Sequence, residues 1–116
     1  MTAAADRLHG LVDRFRGRKV AVLGDLVADE FVHGDIARVS REAPVLILEH
    51  RETVVVPGGG GNAVANVRAL GGRPLPVGVV GRDDPGRRLL RAFRNAGVST
   101  RGLVTIAERP TPTLAL

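Results

Sequence analysis

The stretch of this sequence with the clearest chemical meaning is a run of glycines followed by two asparagines. Residues 58–61 are all glycine; they follow the β-branched run 53–56 and lead into a helical pattern that holds Asn62 and Asn66. Ordered glycine costs backbone entropy, so the cluster indicates a main chain lying close against something else. At a helix entrance, free N–H groups and the positive dipole end suit a polar or anionic ligand. We therefore predict a small-molecule site on these glycines.

Two carboxylates are candidates for the same site. Asp25 follows the apolar run 19–23, and ligands of open parallel sheets bind outside the carboxyl ends of strands. Asp29 lies between small and apolar residues, where a carboxylate without a partner is unusual; the alternative is an exposed acid on an edge strand. Asp84, directly before Pro85, fits a helix N-cap better than a catalytic acid.

Several kinds of chemistry are disfavoured by what the sequence contains. It has no cysteine, which excludes disulfides and thiolate metal sites. His33 and His50 have no spacing typical of metal ligands, so we predict surface histidines and no metal site. Lys19 is the only lysine, and no Walker-type glycine-lysine motif exists.

Composition favours one α/β domain at most. The 116 residues are 44% apolar and 25% charged, which is ordinary for a soluble globular protein. The formal charge of +5 comes almost entirely from scattered arginines, and with three Phe and no Trp or Tyr there is no aromatic platform for nucleic acid. No apolar run approaches the roughly 20 residues of a membrane span, and no signal-peptide core is present. We expect a cytoplasmic protein with no membrane partner.

Hydrophobic periodicity predicts the elements that position these residues. An amphipathic helix is expected over 3–16 with Gly17 as its cap, then a strand over 19–23 covered on both faces. Extended segments flank a polar loop at 38–44 and form a projecting β-arm. Further expected elements are a helix from Ala63 to Leu70, a strand at 76–80, a helix with Leu89, Leu90 and Phe93 on its apolar face, and strands at 102–106 and 112–116.

The order of these elements predicts a parallel sheet sandwiched by helices. The whole chain, 1–116, is expected to be a partial domain with an N-terminal helix region at 1–18 and the β-arm at 27–56. Because the sequence stops inside an apparent strand, we expect the front part of a larger fold.

Blocks of residues in this order resemble the PfkB/ribokinase family of ATP-dependent carbohydrate kinases. Within that family they look most like the kinase domain that phosphorylates D-glycero-D-manno-heptose 7-phosphate. The resemblance covers roughly 19–116 and implies the N-terminal part of a ribokinase-like three-layer α/β/α sandwich with a projecting β-strand lid. The blocks are Gly24-Asp25 with Asp29 and Gly34, Arg38-x-Ser40-x-Glu42-Ala43-Pro44-Val45, the loop 58–66 with Gly71, Gly81-x-Asp83-Asp84-x-Gly86, and Arg109-Pro110-Thr111.

Three positions depart from the family's pattern. Val27 stands where ribokinases have a polar residue, which argues against a ribose substrate. Val64 replaces a small residue, and Arg41 replaces a proline usual in the heptose kinases. The heptose-like interpretation remains the one favoured.

The resemblance implies substrate-binding roles for particular residues. Asp29 would accept hydrogen bonds from sugar hydroxyls, and the amide of Asn62 would bond another. From charge and placement alone, and not from the resemblance, we expect Arg38 or Arg41 to pair with a substrate phosphate through a bidentate contact. Asp25 is a further candidate from its place at a strand end. The glycines that would let the sugar approach the backbone are Gly58, Gly59 and Gly60.

By the same resemblance, residues 27–56 would form a lid that covers the sugar, excludes water and contributes homodimer contacts. The catalytic Asp and the ATP site would lie in a second half, marked by a Gly-Ala-Gly-Asp segment that this chain lacks. No catalytic residue is therefore expected here. ATP and Mg²⁺ would serve the full-length enzyme, and this chain alone would bind a sugar or sugar phosphate without turnover.

Two other functions stay open. Gly58-x-Gly60-x-x-Ala63 formally fits a Rossmann-like nucleotide-binding half-domain. Against it, Pro57 interrupts the junction of strand and loop, and no acid follows about 20 residues on at a strand tip. A non-catalytic oligomerisation module, built on the basic surface and the β-arm, is the third interpretation.

Overall fold

The computed structural model describes residues 2–116 and contains a mixed α/β arrangement in the order that the sequence predicts. Its elements are α1 (Ala3–Asp13), β1 (Lys19–Leu23), β2 (Leu26–Val39), β3 (Leu46–Gly59), α2 (Gly60–Ala69), β4 (Arg73–Gly81), α3 (Asp84–Asn95), β5 (Leu103–Ile106) and β6 (Thr113–Ala115).

The body is a three-stranded parallel sheet in the order β1-β4-β5. Helices α2 and α3 pack on the face of this sheet that carries Val22, Val80 and Leu103. Parallel strands need crossover connections, and the two helices provide them. The predicted parallel sheet is confirmed. The buried residues that pack together as its core are Leu26, Val64, Val80, Leu89, Phe93 and Val98.

The expectation that strand 19–23 is covered on both faces is wrong. Leu23 is 81% exposed and Val20 is 39% exposed, and only Val22 of this strand packs against the core. The reason is that β1 is an edge strand, and among residues 2–116 helices cover only one face of the sheet.

A second sheet, in the order β3-β2-β6, forms the arm. Strands β2 and β3 pair antiparallel, and β6 runs parallel to β2 beside Ala28, Asp29 and Glu30. Strands β2 and β3 are longer than the sequence predicts, because β2 continues to Val39 and β3 continues to Gly59. The arm gives the molecule its elongated extents of 64 × 43 × 20 Å.

Pro57 lies inside β3 instead of interrupting it. Its partner Ala28 donates its N–H to the carbonyl of Pro112 at 2.8 Å, toward β6. The backbone groups of residue 57 therefore face away from β2, toward the open edge of the sheet. Proline is tolerated there because its missing N–H costs no ladder bond.

The boundaries of all three helices differ from the prediction. Helix α2, expected from Ala63 to Leu70, runs from Gly60 to Ala69. Helix α1 ends at Asp13 with Arg14 as its cap, and Gly17 (φ +73°) lies beyond it in a turn. Asp83, not Asp84, caps α3: its side chain accepts a hydrogen bond from the N–H of Gly86. An N-cap residue has extended backbone, and residue 83 meets this requirement with φ −143° and ψ 175°. Asp84 is already the first residue of the helix.

Candidate functional site

Asp29 lies against the buried backbone of Gly58. The register pairs Val27 with Gly58 and Asp29 with Val56, so these residues share one face of the arm. A Cβ atom at residue 58 would lie 2.6 Å from Oδ1 of Asp29 and closer still to Oδ2. Glycine at residue 58 is thus what leaves room for the carboxylate, which is half-buried.

The next two glycines lie against the connection between β1 and β2. The N–H of Gly60 donates to the carbonyl of Asp25 at 2.7 Å. Gly59 has a positive φ of +57°, and a Cβ there would lie 2.8 Å from the same carbonyl. The backbone of the glycine run therefore lies against the main chain of Asp25 and the side chain of Asp29.

Helix α2 begins within the glycine run. Gly59 is its N-cap residue and supplies no side-chain hydrogen bond. Asn62 follows in the first turn of the helix and is exposed, as is Asn66 one turn later. An N-terminus without a side-chain cap, with an exposed amide beside it, can donate hydrogen bonds to a polar ligand.

Asp25 has a partner that residue spacing does not reveal. Its Oδ1 lies 3.8 Å from Nη2 of Arg109, and the side chains are 84% and 54% exposed. An exposed pair of this kind contributes little to stability. The sequence singles out Arg109 only as part of the Arg109-Pro110-Thr111 segment, and no local pattern links it to a residue 84 positions earlier.

A buried hydrogen-bond network holds the segment that carries Arg109. Thr111 donates its N–H to Oδ2 of Asp83 at 2.8 Å and its hydroxyl to Oδ1 at 2.7 Å. The Thr111 hydroxyl also accepts from the N–H of Gly81 at 2.8 Å. These bonds fix the chain just before β6, which pairs with β2 beside Asp29.

The same network changes the acidity of Asp83. Burial raises the pKa of this carboxyl, but hydrogen bonds from Thr111 and Gly86, with the charge of Arg87, outweigh it. The pKa of Asp83 therefore lies below its ordinary value, because these hydrogen bonds and the charge of Arg87 stabilise the carboxylate form.

Arg38 is far from the residues described above. It lies near the outer end of the arm, nine residues after Asp29 along β2, which is roughly 30 Å at the rise of a strand. There it lines a cavity of about 400 Å³ with Ser40, Arg41, Glu42 and Ile47. The structure thus brings Asp25, Asp29, the glycines and Asn62 to one region and leaves Arg38 outside it.

His33 and His50 are exposed on the arm. In the described part of the chain, no three His, Cys, Asp or Glu side chains come together as a metal site would require. Between residues 2 and 116, no helix has both the length and the apolar character needed to cross a bilayer.

Comparison with known proteins finds a match to the model of the pfkB family carbohydrate kinases over residues 18–116. The chain is 43% identical over 108 residues to the bifunctional protein HldE of Hyphomonas neptunium, covering 92% of this chain and 22% of that protein. The chain therefore spans about a fifth of the length of this curated relative.

Solved structures give the same result. A carbohydrate kinase from Agrobacterium tumefaciens superposes with a TM-score of 0.64 at 30% identity, covering 84% of this chain and 30% of that one. The aminoimidazole riboside kinase from Salmonella enterica, complexed with aminoimidazole riboside and an ATP analog, gives 0.60 at 27% identity, with 84% and 28% covered. The expected ribokinase-like fold is confirmed, and the chain belongs to the pfkB family of carbohydrate kinases.

Proposed function

We propose that this chain is the sugar-binding N-terminal segment of an ATP-dependent kinase that phosphorylates a hydroxyl of a heptose phosphate or a similar sugar. The observation that carries the proposal is the contact between the Asp29 carboxylate and the backbone of Gly58. It supports a site in which a half-buried acceptor stands directly beside the glycine run. The 43% identity to a bifunctional HldE protein supports the heptose branch.

Each proposed contact uses one feature of the residues. The two oxygens of Asp29 would accept from neighbouring hydroxyls, and the exposed amide of Asn62 would bond a further one. Gly58, Gly59 and Gly60 leave room for the Asp29 carboxylate and the Asp25 carbonyl, and the exposed backbone of Gly59 would lie against the sugar ring. Asp25, which is mostly exposed beside Arg109, would bond a hydroxyl at the rim.

We propose that residues 27–56 act as a lid over the sugar and as the contact surface of a homodimer. Phe31, Val54 and Val56 share the Asp29 face of the arm and are 38%, 41% and 42% exposed. An exposed apolar face of this kind favours a cover. Because Arg38 lies roughly 30 Å from Asp29 in its own chain, its proposed contact with a substrate phosphate would be made to the site of the second copy.

The phosphate donor and its Mg²⁺ would be bound outside these residues. The relative from Salmonella enterica was solved with an ATP analog, which supports ATP as the donor. In residues 2–116, however, the first N–H of α2 is already bonded to the carbonyl of Asp25. We propose that the chain binds sugar without turnover and works in the cytoplasm.

The Rossmann-like alternative is disfavoured by the surroundings of the glycines. In a dinucleotide site the glycine turn connects a strand of a parallel sheet to a helix. Here it follows β3, which pairs antiparallel with β2. The oligomerisation module remains a second candidate, because the same exposed apolar arm supports it.

Calorimetric titration of the 116-residue chain separates these functions. We expect saturable binding of D-glycero-D-manno-heptose 7-phosphate, no binding of NAD, and loss of sugar binding in Asp29→Ala. The matched control is Asp35→Ala, which removes an exposed acid of the arm paired only with Arg51 at 3.6 Å. A stable dimer with no response to any sugar would favour the oligomerisation module and overturn the proposal.

A further inference from the structure

The pairing of the arm is irregular between His33 and Gly34, and again between Ile36 and Arg38. His33 pairs with Glu52 and Gly34 pairs with His50, which leaves Arg51 without a partner across the ladder. A bulge of this kind bends the strand and increases its twist. We call residues 26–33 with 52–59 the arm root, and residues 34–51 the arm tip.

Strand β6 holds the arm root on the β2 side. Ala28 donates to the carbonyl of Pro112 at 2.8 Å, and Val32 donates to the carbonyl of Leu116 at 3.0 Å. Both bonds lie within the arm root. They attach β2, as far as the bulge that follows His33, to the segment 112–116.

The other side of the root, β3, is an open edge of the sheet. Because Val32 turns its backbone groups toward β6, its partner Thr53 turns its own away from β2. Arg88 of α3 meets this edge: its Nη1 donates to the carbonyl of Thr53 at 3.0 Å. A guanidinium bonded to an edge carbonyl makes a charge-assisted bond and blocks pairing at that point.

The guanidinium of Arg88 is itself held in place. Its Nε donates to Oδ2 of Asp84 at 2.7 Å, one turn earlier on α3. A planar group fixed at one nitrogen loses less freedom when a second nitrogen binds. Arg87 is its neighbour on the same helix; it lies 3.8 Å from Asp84, and no hydrogen bond joins it to the described residues of the arm.

We propose that Arg88 is a positioning residue for the sugar site: by bonding Thr53, it holds β3 in the register that keeps Gly58 against the Asp29 carboxylate. This inference rests on the proposed function. Thr53 lies three residues before Val56, the ladder partner of Asp29, so a shift of β3 at Thr53 is passed directly to the site. The root then stays fixed, and bending of the lid is confined to the tip beyond the bulge.

The test uses Arg88→Met in the 116-residue chain with Arg87→Met as the matched control. In hydrogen–deuterium exchange without ligand, we expect the amides of Phe31 and Val54, paired within the root, to exchange about tenfold faster in Arg88→Met only. In titration with D-glycero-D-manno-heptose 7-phosphate, we expect the Kd to rise about tenfold in Arg88→Met and to stay unchanged in Arg87→Met. These changes correspond to about 1.4 kcal/mol.

The thermal midpoint of unfolding separates a local effect on the arm root from a general loss of stability. We expect this midpoint to be equal in Arg88→Met and Arg87→Met. Arg88→Lys can still donate to Thr53 and should give intermediate exchange and affinity, which keeps the test informative if Arg88→Met does not fold. Equal exchange and equal Kd in Arg88→Met and Arg87→Met would overturn the inference. If the unsubstituted chain binds no sugar but Arg88→Met still exchanges faster in the arm root, the result would support the role of the bond between Arg88 and Thr53. It would overturn the proposed function instead.

Discussion

The carboxylate of Asp29 occupies the space that a side chain at Gly58 would fill. The two residues come from different strands and meet only because β2 and β3 pair in one particular register. A shift of one residue would turn Asp29 to the other face of the arm. The proposed sugar site therefore depends on the register of the arm as much as on the residues themselves.

Gly58→Ala is expected to weaken sugar binding. The added methyl group would overlap the Asp29 carboxylate and force it away from the glycine backbone, so we expect the Kd for a heptose phosphate to rise at least about tenfold, roughly 1.4 kcal/mol. Calorimetric titration measures this. Gly10→Ala is the control, because a Cβ at that exposed helix position meets nothing within 4 Å; equal effects of the two substitutions would contradict the assignment.

Asp29→Asn keeps the size of the side chain and removes its charge. Hydrogen bonds to a charged group contribute about 1.5–3 kcal/mol, so we expect the affinity for the sugar to fall by roughly 10- to 100-fold. The thermal midpoint should change little, because no hydrogen bond within the described residues uses this carboxylate. An unchanged Kd, measured beside Asp35→Asn, would remove Asp29 from the site.

Thr111→Val should destabilise the fold. The threonine is only 4% exposed, and its hydroxyl both accepts from Gly81 and donates to Asp83. Losing the hydroxyl leaves the buried N–H of Gly81 without its partner and removes one of the two hydrogen bonds to Oδ1 of Asp83, which costs about 1–3 kcal/mol. Urea unfolding measures the loss, with Thr113→Val on exposed β6 as the control. Equal unfolding midpoints in the two variants would show that the network contributes nothing.

The stability of the chain should depend on pH through Asp83. Its pKa in the folded state lies below the ordinary value of 3.8, so its contribution is complete above that value. It is lost as the pH falls from the ordinary value through the lowered folded value. We expect the difference in unfolding free energy between the parent chain and Asp83→Asn to shrink below about pH 4.

The same measurement in a Thr111→Val background provides the control for Asp83. Because a hydrogen bond from Thr111 helps to lower the pKa of Asp83, the pH-dependent part of the difference should be smaller there. A difference that stays constant from pH 7 to pH 3 would show that the pKa of Asp83 is the same in the folded and unfolded chain.

The predictable part of the fold was the part encoded by neighbours in the chain. The periodic apolar residues of α3, the glycines that follow helices and the β-branched run before residue 57 are local signals, and each led to the right kind of element. The predictions that were wrong concern positions where contacts between distant segments outweighed a local rule. Pro57 stands within β3 because its backbone faces an open edge. The strand 19–23 is uncovered on one face because the described residues supply one helical layer.

The candidate site divides in the same way. The glycines 58–61, Asn62 and Asp29 could be selected from residue chemistry alone. Arg109 beside Asp25, Thr111 beneath Asp83 and Arg88 on Thr53 could not, since these partners lie 84, 28 and 35 positions apart. Nothing in a local pattern specifies such a pair.

By itself, the sequence determined the family, the order of helices and strands, and which residue types form the candidate site. The tertiary structure decided that Asp29 meets Gly58, that Arg38 lies at the far end of the arm, and that α3 holds the arm root. The physical reason is that propensity and periodicity act over a few residues, whereas strand register is set by contacts between distant segments.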